Sequence, residues 1–316
     1  MKKPLVSLVV PLWNEAETIP QLLQRLSSLV EQPCVEWDFV FVDDGSTDAT
    51  RERLRESLVA LPKWQLVCLA RNFGQQAAYR AGLDHSKGEA IIFLDADLQD
   101  PPEKIPDLIH EWKQGAKIVV GVRESRKETG VRRFCFDMFH KIFSWMTQGA
   151  MPQNSGTFGL MDRIVAENIK KLPEVNLFLP ALRCWFGYKT AYVYYQRGER
   201  FAGKPKQSFL RLFNYAWDGI TSFSQTPLRF ITVLGLAIAL PSFLYGTLLL
   251  IVRILQFMGF FMAIKVIGFT TLAVAIFFIG GVQMICLGVI GEYIARIYQE
   301  AKHRPHYVVE TIIKTE

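Results

Sequence analysis

Two stretches near the C-terminal end limit this chain more than anything else in it. Phe230 to Ile251 carries no charged residue, and neither does Val266 to Ile290. Each run exceeds the ~20 residues that an apolar helix needs to cross a bilayer. A buried helix of a soluble domain is the competing reading. Two such runs, separated by a short loop around Arg253 to Lys265, argue instead for a hairpin of membrane helices. Arg197, Arg200, Lys204, Lys206, Arg211 and Arg229 precede the pair, and Arg296, Lys302 and Arg304 follow it. The loop between them holds only Arg253 and Lys265. This bias predicts that both ends of the hairpin, and the domain before it, face the cytoplasm.

Residues 1–125 follow another rule. LVSLVVPL (5–12), WDFVFVDDGS (37–46), WQLVCLA (64–70), AIIFLDA (90–96) and AKIVVGVR (116–123) are short apolar runs of the kind that form strands covered on both faces. Between them lies helical periodicity, first from about Thr18 to Val30. It returns after Ser46, Thr47 and Asp48, which are candidate caps. The alternation predicts an α/β domain with a mostly parallel sheet. Such sheets bind ligands outside the carboxyl ends of their strands. The polar residues gather there: Asn14, Glu15, Asp43, Asp44, Arg71, Asn72, Asp95, Asp97 and Arg123.

The 316 residues allow more than one average domain. The net charge of +6 points to an anionic partner. Nucleic acid would account for the charge but not for two membrane spans. Anionic lipid and phosphorylated substrates remain. The five cysteines (34, 68, 135, 184 and 286) include no CxxC pair and read as free thiols in a reducing compartment. MKKPLVSLVVPLWNEAE lacks a small-residue cleavage site and reads as a first strand, not a signal peptide. RRFCFDMFHKIFSWMTQG (132–149) and SFLRLFNYAWDGITSFS (208–224) mix aromatic and basic residues, which predicts helices lying in the membrane interface.

IIFLDADLQDPP (91–102) ends a buried-looking strand in carboxylates. Asp95, Asp97 and Gln99 supply oxygen donors of the kind Mg²⁺ or Mn²⁺ prefers. No Walker A loop or GxGxxG follows the first strand; Pro11 to Glu15 stands there instead. A carboxylate pair that meets a nucleotide diphosphate through a metal is the consistent reading.

At this point a resemblance becomes visible. PLWNEAETI (11–19), VDDGSTDAT (42–50), ARNFGQQAAYRAGL (70–83) and LDADLQDPPE (94–103) resemble family 2 glycosyltransferases with the GT-A fold, a mostly parallel Rossmann-like sheet. SGTFGLMDR (155–163), LRCWFGYKT (182–190), RFAGKPKQS (200–208) and DGITSFSQTPLR (218–229), followed by two apolar helices, narrow the resemblance. The chain then resembles the polyprenyl-phosphate glycosyltransferases, the group that includes dolichol-phosphate mannose synthase and bacterial bactoprenol glucosyltransferases, and the two C-terminal helices favour the bacterial bactoprenol type. The resemblance implies an inverting transfer of a sugar, glucose foremost, from a UDP-sugar to undecaprenyl or another polyprenyl phosphate. Galactose, an N-acetyl sugar or aminoarabinose are the alternatives.

By the same resemblance, Pro11, Asn14, Glu15, Asp44, Arg71 and Asp97 border the nucleotide. Asp95, Asp97 and Gln99 hold Mg²⁺ or Mn²⁺. Arg123, one of Arg132 and Arg133, and Lys206 face the acceptor phosphate. Asp95, Asp97 and Arg123 carry the catalysis, and Thr157 lies by the sugar. The implied layout is a cytoplasmic catalytic domain over 1–227, with interfacial helices at about 131–149 and 207–226, membrane helices over 228–291, and a cytoplasmic tail over 292–316. The expected place is the inner (plasma) membrane, with both termini cytoplasmic.

Two positions depart from the pattern. Many similar sequences read Gly-Asp-Phe where this chain has Gly156-Thr157-Phe158, and Pro205 and Gln207 flank Lys206 in place of a hydroxyl residue and tyrosine. Thr157 cannot act as a base at neutral pH. Asp162 or Asp137 would have to serve if a carboxylate base were essential. The departure also keeps open a weakened nucleotide-sugar binding protein that supports another transferase. In the tail, Tyr307 to Ile313 reads as a short strand, and an exposed strand invites pairing with another subunit, hence an expected homo-oligomer, dimer or tetramer.

Overall fold

The computed structural model describes residues 3–31, 34–58, 61–124, 154–172, 179–196, 198, 226–258 and 268–315. They fall into two compact units. One comprises Met1–Ser222 with His303–Glu316, and the other Phe223–Lys302. The interfacial segments expected at 132–149 and 208–224 lie outside the described residues.

The first unit alternates strands and helices as the apolar runs predict. In order these are β1 (Leu5–Leu12), α1 (Ile19–Val30), β2 (Glu36–Asp43), α2 (Thr50–Ser57), β3 (Trp64–Leu69), α3 (Gln75–His85), β4 (Ala90–Phe93), α4 (Ile105–Lys113) and β5 (Ile118–Arg123). Beyond them come β6 (Ser155–Asp162), α5 (Arg163–Lys170), α6 (Leu179–Trp185) and β7 (Thr190–Tyr195). After the second unit the chain returns as β8 (Val309–Lys314).

The strands form one sheet, ordered β7-β5-β6-β4-β1-β2-β3-β8. Its centre, β3-β2-β1-β4, is parallel. β6 stands between β4 and β5 and runs antiparallel to both, so those two strands are not neighbours. β8 adds antiparallel to β3 of its own chain, from Gln65↔Lys314 to Leu69↔Val309. The tail strand expected from the sequence therefore forms, and its partner lies within the chain.

The core explains the unbroken apolar runs. Successive residues of a strand point to opposite faces. Leu8 and Val10 join Leu22, Leu26, Leu54 and Leu108 on one face. Val9 joins Ala81, Leu83, Val165 and Ile169 on the other. Both faces of β1 are thus covered by helices. α3 lies so close to β1 that a Cβ on Gly82 would come within 2.1 Å of Val9 Cγ1. Glycine at that position is what lets the helix, and the side chains at its start, approach the strand ends.

The second unit holds α7 (Thr226–Phe257) and α8 (Phe269–Ala301), of 32 and 33 residues. At 1.5 Å per residue each exceeds the ~30 Å of a bilayer core. Leu228–Phe257 and Val274–Ala301 have mean hydropathies of 2.1 and 2.3, with none of that surface buried. Phe243 and Phe277 are 73% and 81% exposed. Long helices that are apolar without being covered by protein fit association with a membrane.

Candidate active site

The loops that leave the carboxyl ends of the strands are built from short polar locks. Asn14 follows β1 with φ 52°, in the left-handed region. Its amide donates to Ser46 Oγ (2.9 Å), and its Oδ1 accepts from the Thr47 amide (2.8 Å). Glu15 donates its amide to Thr50 Oγ1 at 2.9 Å. The β1 and β2 loops are thereby tied together. Pro11 is buried within β1, opposite Val42.

The paired acids at the end of β2 differ. Asp43 is wholly buried, accepts from the Ser46 amide (3.1 Å) and meets Arg51 Nε at 3.0 Å. Asp44 accepts from the Phe73 and Gly74 amides at 2.8 and 2.9 Å, one on each oxygen. Burial, the larger effect, pushes its carboxyl up against those bonds. Each oxygen keeps a second lone pair for a ligand. Arg71 is exposed, with its guanidinium over the Phe73 ring at 4.1 Å. Gly45, with φ +63°, permits this packing, because a Cβ there would lie 2.4 Å from the Arg71 carbonyl carbon.

A second group surrounds the end of β4. Asp95 Oδ1 accepts from Gln75 Nε2 at 3.0 Å and from the Tyr79 hydroxyl. Burial pushes the Asp95 carboxyl up to about 6. The Tyr79 bond opposes that rise, while the charges of Asp100 and Asp97 add to it. Asp97 Oδ1 accepts from the Gln99 amide at 3.1 Å. Leu98 between them is buried with φ 58°, a conformation that costs a non-glycine residue about 1–2 kcal/mol. The strained turn sets the course of the loop that carries both side chains.

Arg123, at the end of β5, joins the same acids. Its Nη2 lies 3.4 Å from both Asp100 oxygens, and its Nε donates to Tyr195 Oη at 3.1 Å. Tyr195 in turn donates to Asp100 Oδ1 at 2.5 Å. Burial opposes the arginine's charge, but Asp100 and Tyr195 more than offset it and hold the guanidinium well above its usual value. Gly156 leaves room for this head, since a Cβ there would sit 2.8 Å from Arg123 Nη2. Beneath it, fully buried Arg183 donates to the carbonyls of Thr157 (3.0 Å) and Gly156 (2.7 Å).

The structure therefore brings Asp95, Asp97, Gln99 and Arg123 to the ends of β4 and β5, with Thr157 beside Tyr79. Asn14, Glu15, Asp44 and Arg71 form a neighbouring group at the ends of β1, β2 and β3. Arg132, Arg133, Lys206 and Asp137 lie outside the described residues. Asp162 is not a substitute base. It pairs with Ala90 at the opposite end of β4, accepts from Trp112 Nε1 (2.8 Å) and Lys117 Nζ (2.9 Å), and caps α5 through the Ile164 amide. Tyr79, Asp100, Arg183 and Tyr195 were missed by sequence reasoning. For Asp100 the signal was its place in LDADLQD; for Tyr79 it was the four-residue spacing from Gln75 along a helix.

Among the described residues no three His, Cys, Asp or Glu side chains converge on one point. Two carboxylates and an amide oxygen do suit a cation of the Mg²⁺ type, which keeps waters and takes its remaining oxygens from phosphate.

Comparison with known proteins gives the family and the fold. A bactoprenol glucosyl transferase of Shigella phage SfV is 43% identical over 306 residues, covering 96% of this chain and 98% of that one. A prophage bactoprenol glucosyl transferase homolog of Escherichia coli K12 is 42% identical over 310 residues, covering 98% and 99%. The fold is similar to glucosyl-3-phosphoglycerate synthase from Mycobacterium tuberculosis, crystallised with Mn²⁺, UDP and phosphoglyceric acid. That match has a TM-score of 0.53 at 19% identity and covers 69% of this chain and 76% of the other. The Glycosyl transferase family 2 model matches residues 7–169. With this match and full-length relatives above 40% identity, the chain is a member of glycosyltransferase family 2 with a GT-A fold.

Proposed function

We propose that this protein transfers glucose from UDP-glucose to a polyprenyl phosphate such as undecaprenyl phosphate, with inversion at the anomeric carbon. The observation that carries the reading is the gathering of Asp95, Asp97, Gln99 and Arg123 at the ends of β4 and β5, on either side of β6, in a chain that also has two uncovered apolar helices. Relatives named as bactoprenol glucosyl transferases at about 43% identity support the sugar and the lipid carrier.

In this reading Asn14, Glu15, Asp44 and Arg71, with Pro11 behind them, hold the uridine end of the donor. Asp95, Asp97 and Gln99 hold Mg²⁺ or Mn²⁺, which would neutralise the departing diphosphate. Arg123 faces the acceptor phosphate, with Lys206 and one of Arg132 and Arg133 as its companions, and Thr157 lies by the sugar. A phosphate monoester is already anionic near neutral pH. It attacks the anomeric carbon directly, the bond to the nucleotide breaks, and no protein base is needed. The capping role of Asp162 fits that economy.

We further propose that α7 and α8 cross the inner membrane as a hairpin, with the catalytic domain and both termini in the cytoplasm. Strands β1–β7 precede the hairpin and β8 follows it, yet all lie in one sheet, which supports an even number of crossings. The basic flanks support the cytoplasmic side.

The test is transfer from a panel of labelled UDP-sugars to undecaprenyl phosphate, with Mn²⁺ and after chelation, for wild type and Asp97→Ala. Product from UDP-glucose is expected, lost on chelation, and reduced at least about a hundredfold in the variant. Product with another sugar alone would overturn the assignment of glucose. No product from any donor, with UDP still bound, would favour a binding protein.

A further inference from the structure

Tyr79 plays no part in the roles assigned so far, yet its hydroxyl lies inside the acid cluster. The residue is fully buried on α3, with its ring edge-on to Phe93 of β4 at a centroid distance of 5.4 Å. Its hydroxyl donates to Asp95 Oδ1, the same oxygen that Gln75 Nε2 reaches at 3.0 Å. The Thr157 side chain on β6 is a further hydrogen-bond neighbour of that hydroxyl. Among the described residues Asp95 Oδ2 accepts no hydrogen bond.

Proton accounting gives this arrangement a direction. A phenol has one proton to donate and lone pairs to accept with. A threonine hydroxyl donates to the phenol oxygen and leaves the phenol proton to Asp95. Aspartate at position 157 would compete for that single proton and add a like charge beside Asp95. Thr157 and Tyr79 are therefore matched to each other, and the match commits Asp95 Oδ1 inward.

We propose that Tyr79, assisted by Thr157, is a positioning residue that fixes Asp95 through Oδ1 and so presents Oδ2 to the divalent cation. The inference rests on the metal-dependent reading above. Partners of this kind, which hold a ligand's second atom, typically contribute about 10–100-fold to metal affinity. Phenylalanine at position 79 keeps the ring against Phe93 and removes only the hydroxyl.

The experiment is Mn²⁺ binding to the full chain in detergent, with saturating UDP, followed by the electron paramagnetic resonance signal of free Mn²⁺. Wild type, Tyr79→Phe and Thr157→Val are compared. Tyr79→Phe is expected to weaken Mn²⁺ binding about tenfold or more, and Thr157→Val by a smaller factor. UDP affinity without metal stays at the wild-type value in both. Wild-type Mn²⁺ affinity in Tyr79→Phe would overturn the proposal and leave the metal-dependent reading standing. Failure of the wild type itself to bind Mn²⁺ with UDP would overturn both. If Tyr79→Phe does not fold, Thr157→Val decides: weaker Mn²⁺ binding supports the proposal and unchanged binding overturns it.

Discussion

The two ends of the sheet treat their acids in opposite ways. At the amino end Asp38 accepts from Ser7 Oγ (2.6 Å) and the Lys87 amide (3.1 Å), while Ser7 Oγ accepts in turn from the Gly88 amide (2.8 Å). Asp162 at that end has an indole, an ammonium and an amide around it. At the carboxyl end the charges of Asp100 and Asp97 raise the cost of ionising Asp95. The first arrangement suits stability, because each negative charge has its donors. The second sets like charges beside one another, which a folded chain tolerates where a ligand completes the balance. That contrast separates structural acids from candidate catalytic ones without reference to any relative.

The contrast can be broken first at Asp100, which belongs to both classes. Asp100→Asn removes the charge facing Arg123 from a side chain that is 1% exposed. Stability is expected to fall by about 3 kcal/mol, as for breaking a largely buried ion pair, and transfer should fall with it through a weakened Arg123. Denaturant unfolding and turnover on the same preparation check this. Unchanged turnover would return Asp100 to the structural class.

Ser7→Ala sharpens the other side. The Gly88 amide loses its acceptor, and Asp38 keeps only Lys87 of its two partners. A loss of about 2 kcal/mol in stability is expected, with turnover of the folded enzyme unchanged.

The smallest effect belongs to Asp162→Asn, at about 1 kcal/mol. Its pH dependence is the informative part. Burial disfavours the Asp162 charge, but the bonds from Trp112, Lys117 and the Ile164 amide outweigh it and hold the carboxyl below its usual range. A depressed value in the folded state stabilises above the ordinary carboxylate value of about 4 and is lost as the pH falls through the folded value. The difference between variant and wild type should be full at pH 7 and fade below about pH 4. A difference that persists in acid would show that packing, not charge, is its source.

Much of this design was legible in the sequence. β1 to β5 follow five apolar runs because strands covered on both faces need no alternation to be recognised. Asp95 and Asp97 stood out because carboxylates rarely follow such a run without a purpose. β6 was not legible as a strand: Gly156 and Gly159 dilute its pattern, and nothing local says that it enters between β4 and β5. The Asp100–Tyr195 bond joins residues 95 positions apart, and Tyr79 reads locally as one more apolar residue of an amphipathic helix. Contacts of that kind exist only once the chain has closed on itself.

The return of the chain to its own sheet has a consequence for synthesis. β3 ends at Leu69, but its outer neighbour begins only at Val309, beyond both apolar helices. At roughly 5–20 residues per second, tens of seconds separate the two on the ribosome. Through that interval the β3 edge has no strand beside it from its own chain. The sheet is completed only after both apolar helices have been made, so their synthesis and the completion of the fold occur in a fixed order.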